Sequence, residues 1–172
     1  MAVAWLYCDF RAHQEQSATA MLGAILRQLV SIGEIPNNIR KRFRKRFSGR
    51  GLRLPDIVGM LKRAISLLPQ VYICIDALDE STPESRQELL VSLRDIVRGS
   101  PSTRVLFTGR SHVADEVKKY FTKAIIVPVS PTEDDIRIYL DVRLDRDTEA
   151  HAMDNDLRRD IMRIILETIS EV

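Results

Sequence analysis

The chain has 172 residues, of which 45% are hydrophobic and 29% charged, with a formal net charge of +2. That length suits one sizeable core, a single domain or most of one, and the near-neutral balance excludes a global affinity for nucleic acid or acidic membrane. Two cysteines are too few for a disulfide framework, no window nears the roughly 18 apolar residues of a spanning helix, and the first residues lack the basic start of a secretory signal. A reducing, cytoplasmic setting with no membrane partner is expected.

Residues 3–10, β-branched and aromatic and closed by Asp9 and Arg11, predict a buried strand in which Trp5 is core and Cys8 a small hydrophobe. Met21, Leu22, Ile25, Leu26, Leu29 and Val30 then recur at helical spacing, with Ser17 or Thr19 as N-cap and Gly33 as the stop. Pro36 opens a second helical segment in which Ile39, Phe43 and Phe47 are spaced by four. Eight basic residues from Arg40 to Arg53 have no acid among them. A solvated helix face is the commoner meaning of such a run, and nucleic-acid binding through residues 40–53 is the weaker alternative. Leu54, Ile57, Val58, Leu61, Ile65 and Leu68 predict a third helix, which Pro69 ends.

The most informative stretch follows. Five apolar residues, Val71 to Ile75, run into the carboxylates of Asp76, Asp79 and Glu80. A run without polar alternation reads as a parallel strand buried on both faces, and ligands of open α/β sheets bind beyond the carboxyl ends of such strands. Asp76 belongs at that edge, with Asp79 and Glu80 on the next turn. The competing reading is that Asp79, Glu80 and Ser81 begin a helix, where carboxylates suit the dipole. Ser81 and Glu84 have capping-box spacing, and Pro83 suits a first turn, for a helix carrying Leu89, Leu90, Leu93, Ile96 and Val97.

Gly99, Ser100 and Pro101 end that helix, residues 105–108 form the next strand, and Gly109, Arg110 and Ser111 leave the sheet. Val113, Val117, Tyr120 and Phe121 mark a short helix, residues 124–129 a further β-rich run, and residues 130–133 a strong helix start. The last segment carries Leu157, Ile161, Ile164, Ile165 and Ile169 on one side, a stripe suited to missing neighbours or to a protein partner through residues 157–169. His13, His112 and His151 show no ligand spacing with either cysteine, so a zinc site has little support. Strands alternating with helices predict a parallel sheet with right-handed crossovers.

With these motifs in order, the chain resembles the NACHT class of STAND P-loop NTPases, in the nephrocystin-like form frequent in large fungal ankyrin-repeat proteins. The residues carrying the likeness are 5–10 followed by 20–29, the acid cluster as an extended Walker B, residues 104–112 as the sensor-arginine strand, and residues 131–136 with 144–147. The resemblance implies a three-layer αβα parallel sheet of the P-loop type, a partial NTPase core over residues 1–150, and the start of a following helical region at 151–172. It implies Asp76 as Mg²⁺ ligand, Asp79 and Glu80 as the acids nearest the attacking water, and Arg110 as reader of the terminal phosphate. Phosphoryl transfer relies on such positioning and charge neutralisation. Mg²⁺ and ATP or GTP are the cofactors expected of a complete domain.

The decisive departure is that none of the 172 residues forms G-x-x-x-x-G-K-[ST], the loop that cradles phosphates; Gly49-Arg50-Gly51 follows no hydrophobic strand and is no substitute. In the family that loop and its strand lie upstream of the segment matching residues 3–10, so the sheet is expected to lack its first strand. Residues 3–10, 71–76 and 104–108 are then expected to form a three-strand parallel unit, with 124–129 either beside the last strand or poorly placed. The expected function is a fragment of a nucleotide-dependent signalling switch that neither binds nor hydrolyses nucleotide by itself. The alternative is a non-catalytic protein-interaction scaffold.

Overall fold

The computed structural model describes residues 1–12, 16–32, 53–146 and 154–170. The helix expected around Ile39, Phe43 and Phe47, the basic run up to Arg50, Gly33, Gly49, Gly51, Asp147, His13, His151 and the side chain of Ile169 lie outside what is described. Contacts divide the chain into two compact units, residues 1–126 and 127–172.

The first unit holds three parallel strands in the order β1 (Ala2–Tyr7), β2 (Val71–Asp76), β3 (Thr103–Phe107), as expected. Ala2 is level with Val71, and Val71 with Thr103, so Tyr7 and Asp76 finish side by side at the carboxyl edge. The helices are α1 (Ala18–Ser31), α2 (Leu54–Ile65), α3 (Pro83–Arg98) and α4 (Ala114–Tyr120). Ser17 caps α1 by accepting the Ala20 N–H, and Pro55 suits the first turn of α2 because an N–H there has no intrahelical partner. The cap of α3 is Thr82, whose hydroxyl accepts from the Ser85 N–H, and not Ser81. With Pro83 at the first helical position the cap must be the residue before it, while the Ser81 hydroxyl turns back to donate to the Leu78 carbonyl at 2.6 Å.

One face of the sheet is covered. Ala4, Ile73 and Thr103 point into a core with Leu22, Ile25, Leu26 and Leu29 of α1, Ile57 and Leu61 of α2, and Leu89, Leu90, Leu93 and Ile96 of α3. Each of these large side chains contributes about 1.5–3 kcal/mol by leaving water. The one-sidedness follows from connection geometry. Both crossovers step the same way across the sheet with the same right hand, so both deliver their helices to the same face.

The opposite face corrects two expectations. Strand β2 is not buried on both sides, since Tyr72 and Cys74 are half-buried between fully buried Val71, Ile73 and Ile75. Trp5 is not core: it is 65% exposed and level with Cys74, on whose other side lies the similarly open Leu106. The class is therefore α/β with a small parallel sheet, and among the described residues of this unit its helices form one layer.

Residues 124–129 form no strand. Strand propensity needs a ladder to satisfy the backbone, and these residues have none, leaving Ile125 at 90% and Val129 at 91% exposure. The second unit is two helices, α5 (Glu133–Asp145) and α6 (Asn155–Ser170). A full capping box between Thr132 and Asp135 starts α5, and it holds the Asp135 carboxyl below its ordinary range. Arg158 of α6 grips Asp141 at 2.7 Å and Asp145 at 2.6 Å on α5. On α6, Leu157 and Ile164 are exposed while Ile161 and Ile165 are half-buried. Among the described residues no helix is long and apolar enough to cross a membrane.

Candidate functional site

The carboxyl ends of β2 and β3 are joined by one side chain. Thr108, the residue after β3, accepts the Ala77 N–H on its hydroxyl oxygen at 3.0 Å and donates the hydroxyl proton to Asp76 Oδ1. Its own N–H bonds to the Ile75 carbonyl at 2.9 Å and its carbonyl accepts the Leu78 N–H at 2.9 Å. Between them Ala77 takes a left-handed conformation, with φ at 54°, which a non-glycine residue holds only where its surroundings fix it. That corner turns the chain from strand into the short 3-10 turn Leu78–Glu80 and sends Asp79 and Glu80 to either side of the Asp76 edge.

The four residues expected at the site occupy one region with different attachments. Asp76 ends the central strand with its side chain in the open. Asp79 is nearly buried, and its two oxygens serve the loop after β3: Oδ1 accepts the Arg110 N–H at 3.2 Å, and Oδ2 stands 3.4 Å from Arg110 Nε. Arg110 is otherwise open, its side chain 80% exposed. Gly109 permits this approach, because a Cβ there would lie 3.2 Å from Asp79 Oδ1 and 3.1 Å from a Val113 methyl. Glu80 turns toward β1 and accepts the Phe10 N–H at 3.2 Å. Behind the site, Arg86 bonds Glu116 at 2.7 Å and the Ser81 carbonyl at 2.8 Å, tying α3 to α4 and to the acid turn.

The field at this edge is negative. Burial pushes the Cys8 thiol up to about 11, and Glu80, Asp79 and Asp76 push the same way against a small opposing effect of Arg86. Glu80, followed by desolvation, Asp9 and Asp76, also raises the Tyr7 phenol. That field opposes an anion such as phosphate, and an accompanying cation would offset it. Among the described residues no three of His, Cys, Asp and Glu converge as metal ligands. Mg²⁺ keeps several waters and commonly takes one or two carboxylates plus phosphate oxygens. One exposed carboxylate, Asp76, is compatible with such a contact, and among the described residues these side chains do not make a metal site unaided.

Sequence reasoning placed the acids and Arg110 but missed Thr108, Ala77 and Gly109 as the parts that hold them. Thr108 was legible as the last polar residue at a strand's carboxyl end. Nothing in the type of Ala77 announces its conformation.

The family described as Nephrocystin 3, N-terminal matches residues 1–110, which include all three strands, the acid turn and Arg110. No curated protein and no solved structure matches the chain. The match covers more than half of the 172 residues and ends at the arginine that closes the site, so the chain belongs to the nephrocystin 3 N-terminal family, a NACHT-like family.

Proposed function

We propose that this chain is part of a NACHT-type nucleotide-dependent signalling switch, carrying the metal-side acid and the phosphate-reading arginine, and that by itself it neither binds nor hydrolyses nucleotide appreciably. The observation that supports this most directly is Asp76 at the carboxyl end of the central strand, bonded across to Thr108, with Arg110 two residues beyond. Asp76 would meet Mg²⁺, Arg110 the terminal phosphate, and Glu80 with Asp79 the attacking water. Asp79 has a prior task, since both of its oxygens face the Arg110 backbone and guanidinium. Its part is therefore to position Arg110, and a role toward water requires that loop to open.

Inactivity of the isolated chain is supported by the missing phosphate loop and by the negative field at the edge, which one exposed guanidinium does not balance. Calorimetric titration with MgATP, MgADP and MgGTP tests the reading, and no heat at micromolar nucleotide is expected. Micromolar binding that Asp76→Ala abolishes would overturn it. The scaffold reading draws on a separate observation, the apolar open face bearing Val3, Trp5 and Leu106.

A further inference from the structure

Strand β1 forms one edge of the sheet, and its outward backbone is already occupied. The N–H groups of Ala2 and Cys8 bond to the Gln70 and Asp76 carbonyls, so the alternating positions Trp5, Tyr7 and Asp9 turn their backbone away from β2. Two glutamines meet them. Gln28 on α1 accepts the Trp5 N–H at 2.9 Å and donates to the Trp5 carbonyl at 2.6 Å, the two-bond exchange that an opposed residue of an antiparallel neighbour would make. Gln16, just before the Ser17 cap of α1, accepts the Asp9 N–H at 3.0 Å and donates to the Tyr7 carbonyl at 3.2 Å, bridging two residues as a parallel neighbour would.

Satisfying these groups does not require glutamine. The bonds of Gln28 to Trp5 lie in the open, where water serves a backbone N–H or C=O as well as a side chain does. A long side chain held there loses rotamer freedom, a cost that water does not carry to the same extent. What the side chains add is occupancy. An edge whose N–H and C=O groups are free is a template for a further strand, and an edge whose groups are taken by the chain's own amides is not. Trp5 lies inside the six-residue strand, so a strand arriving from either end meets an occupied position. The strand would otherwise suit such pairing, since Val3, Trp5 and Tyr7 are strand-forming types with open side chains.

We propose that Gln16 and Gln28 form an edge guard, an intramolecular contact that holds β1 closed against strand addition by other copies of this chain. A second copy is the strand to be excluded, because it carries the same edge and is present at the chain's own concentration. Both glutamines belong to the segment that follows β1 and covers the sheet, so the guard is delivered by the crossover itself. It consists of two amides and the backbone they hold, and no part of it involves nucleotide.

The test combines Gln16→Leu with Gln28→Leu in the full chain, which removes every side-chain bond to the edge while keeping much of the side chains' bulk. Gln87→Leu, exposed on α3, controls for the added apolar surface. Light scattering over a concentration series is expected to show the double variant rising toward twice the mass of the native chain at matched concentration, since two β1 edges that pair satisfy each other, with Gln87→Leu following the native chain. Amide hydrogen exchange read by NMR locates the contact: Trp5 and Asp9 are expected to be protected in the native chain, to exchange fast in the dilute double variant, and to be protected again once it associates. If the double variant does not fold by circular dichroism, Gln28→Leu alone frees Trp5 and carries the same expectations at that residue. A folded variant whose mass follows the native chain, association that leaves the Trp5 amide exchanging freely, or fast exchange of Trp5 in the native chain would each overturn the proposal.

Discussion

On the covered face of the sheet Ala4 and Ile73 have no exposed surface, while one residue along the same strands Trp5 is 65% exposed and, on the neighbouring strand, Leu106 is 60% exposed. Both faces carry large apolar side chains, and they differ in what the connections deliver to them. A sheet built by stepping repeatedly in one direction receives all of its helices on one side, and only a reversal of direction supplies the other. Apolar character in a strand therefore marks a face that can be covered, and the topology decides whether it is.

The largest expected effect separates the faces by stability. Ile73→Ala should cost about 2–5 kcal/mol in urea unfolding, and Trp5→Ala roughly 0.5 kcal/mol despite removing the larger side chain. Equal losses would mean that the open face is packed in solution.

The cysteines give a second contrast, because Cys8 is buried on the covered side and Cys74 is half-buried on the open side. A thiol reagent should label Cys74 well before Cys8. The Cys8 thiol is raised to about 11 in the fold, against about 9 in the unfolded chain, so its contribution is complete below pH ~9 and is lost as pH rises to ~11. The native chain should lose on the order of 1–2 kcal/mol more than Cys8→Ala across that window, read from urea midpoints. Parallel curves for the two proteins would mean that burial and the acid cluster together leave this thiol unshifted.

The smallest effect on stability belongs to Leu106→Lys, expected within about 0.5 kcal/mol of the native chain while lowering the fluorescence of a bound apolar dye. A large destabilisation would show that Leu106 has partners on that face.

Much of the fold was legible in the sequence. The three strands, the helix on Met21 to Val30 and the placement of Asp76 follow from hydrophobic periodicity and the rule that sites lie at carboxyl ends, whereas the strand order came from the family resemblance. What failed did so for identifiable reasons. A one-sided parallel strand and a two-sided one share the same residues, so Trp5 read as core. Residues 124–129 have strand propensity, but a strand is a relation between segments, and no single segment states its partner. The α3 cap was read one residue early because Ser81 and Thr82 are both cap-forming types, and only Pro83 at the first turn separates them. The site was legible as residue types and illegible as attachments. Asp79 and Asp76 look alike in sequence, yet one is nearly buried and clamped to the Arg110 loop while the other is exposed and takes the Thr108 hydroxyl.

One hydroxyl carries more than its size suggests. The Thr108 oxygen accepts from the turn and donates to the acid, while its backbone locks to both sides of the same corner. The tips of the two strands are thereby tied at four points through this one residue. The Asp76 carboxylate and the loop that carries Arg110 therefore share one anchor, a residue whose bonds run to the other strand's tip.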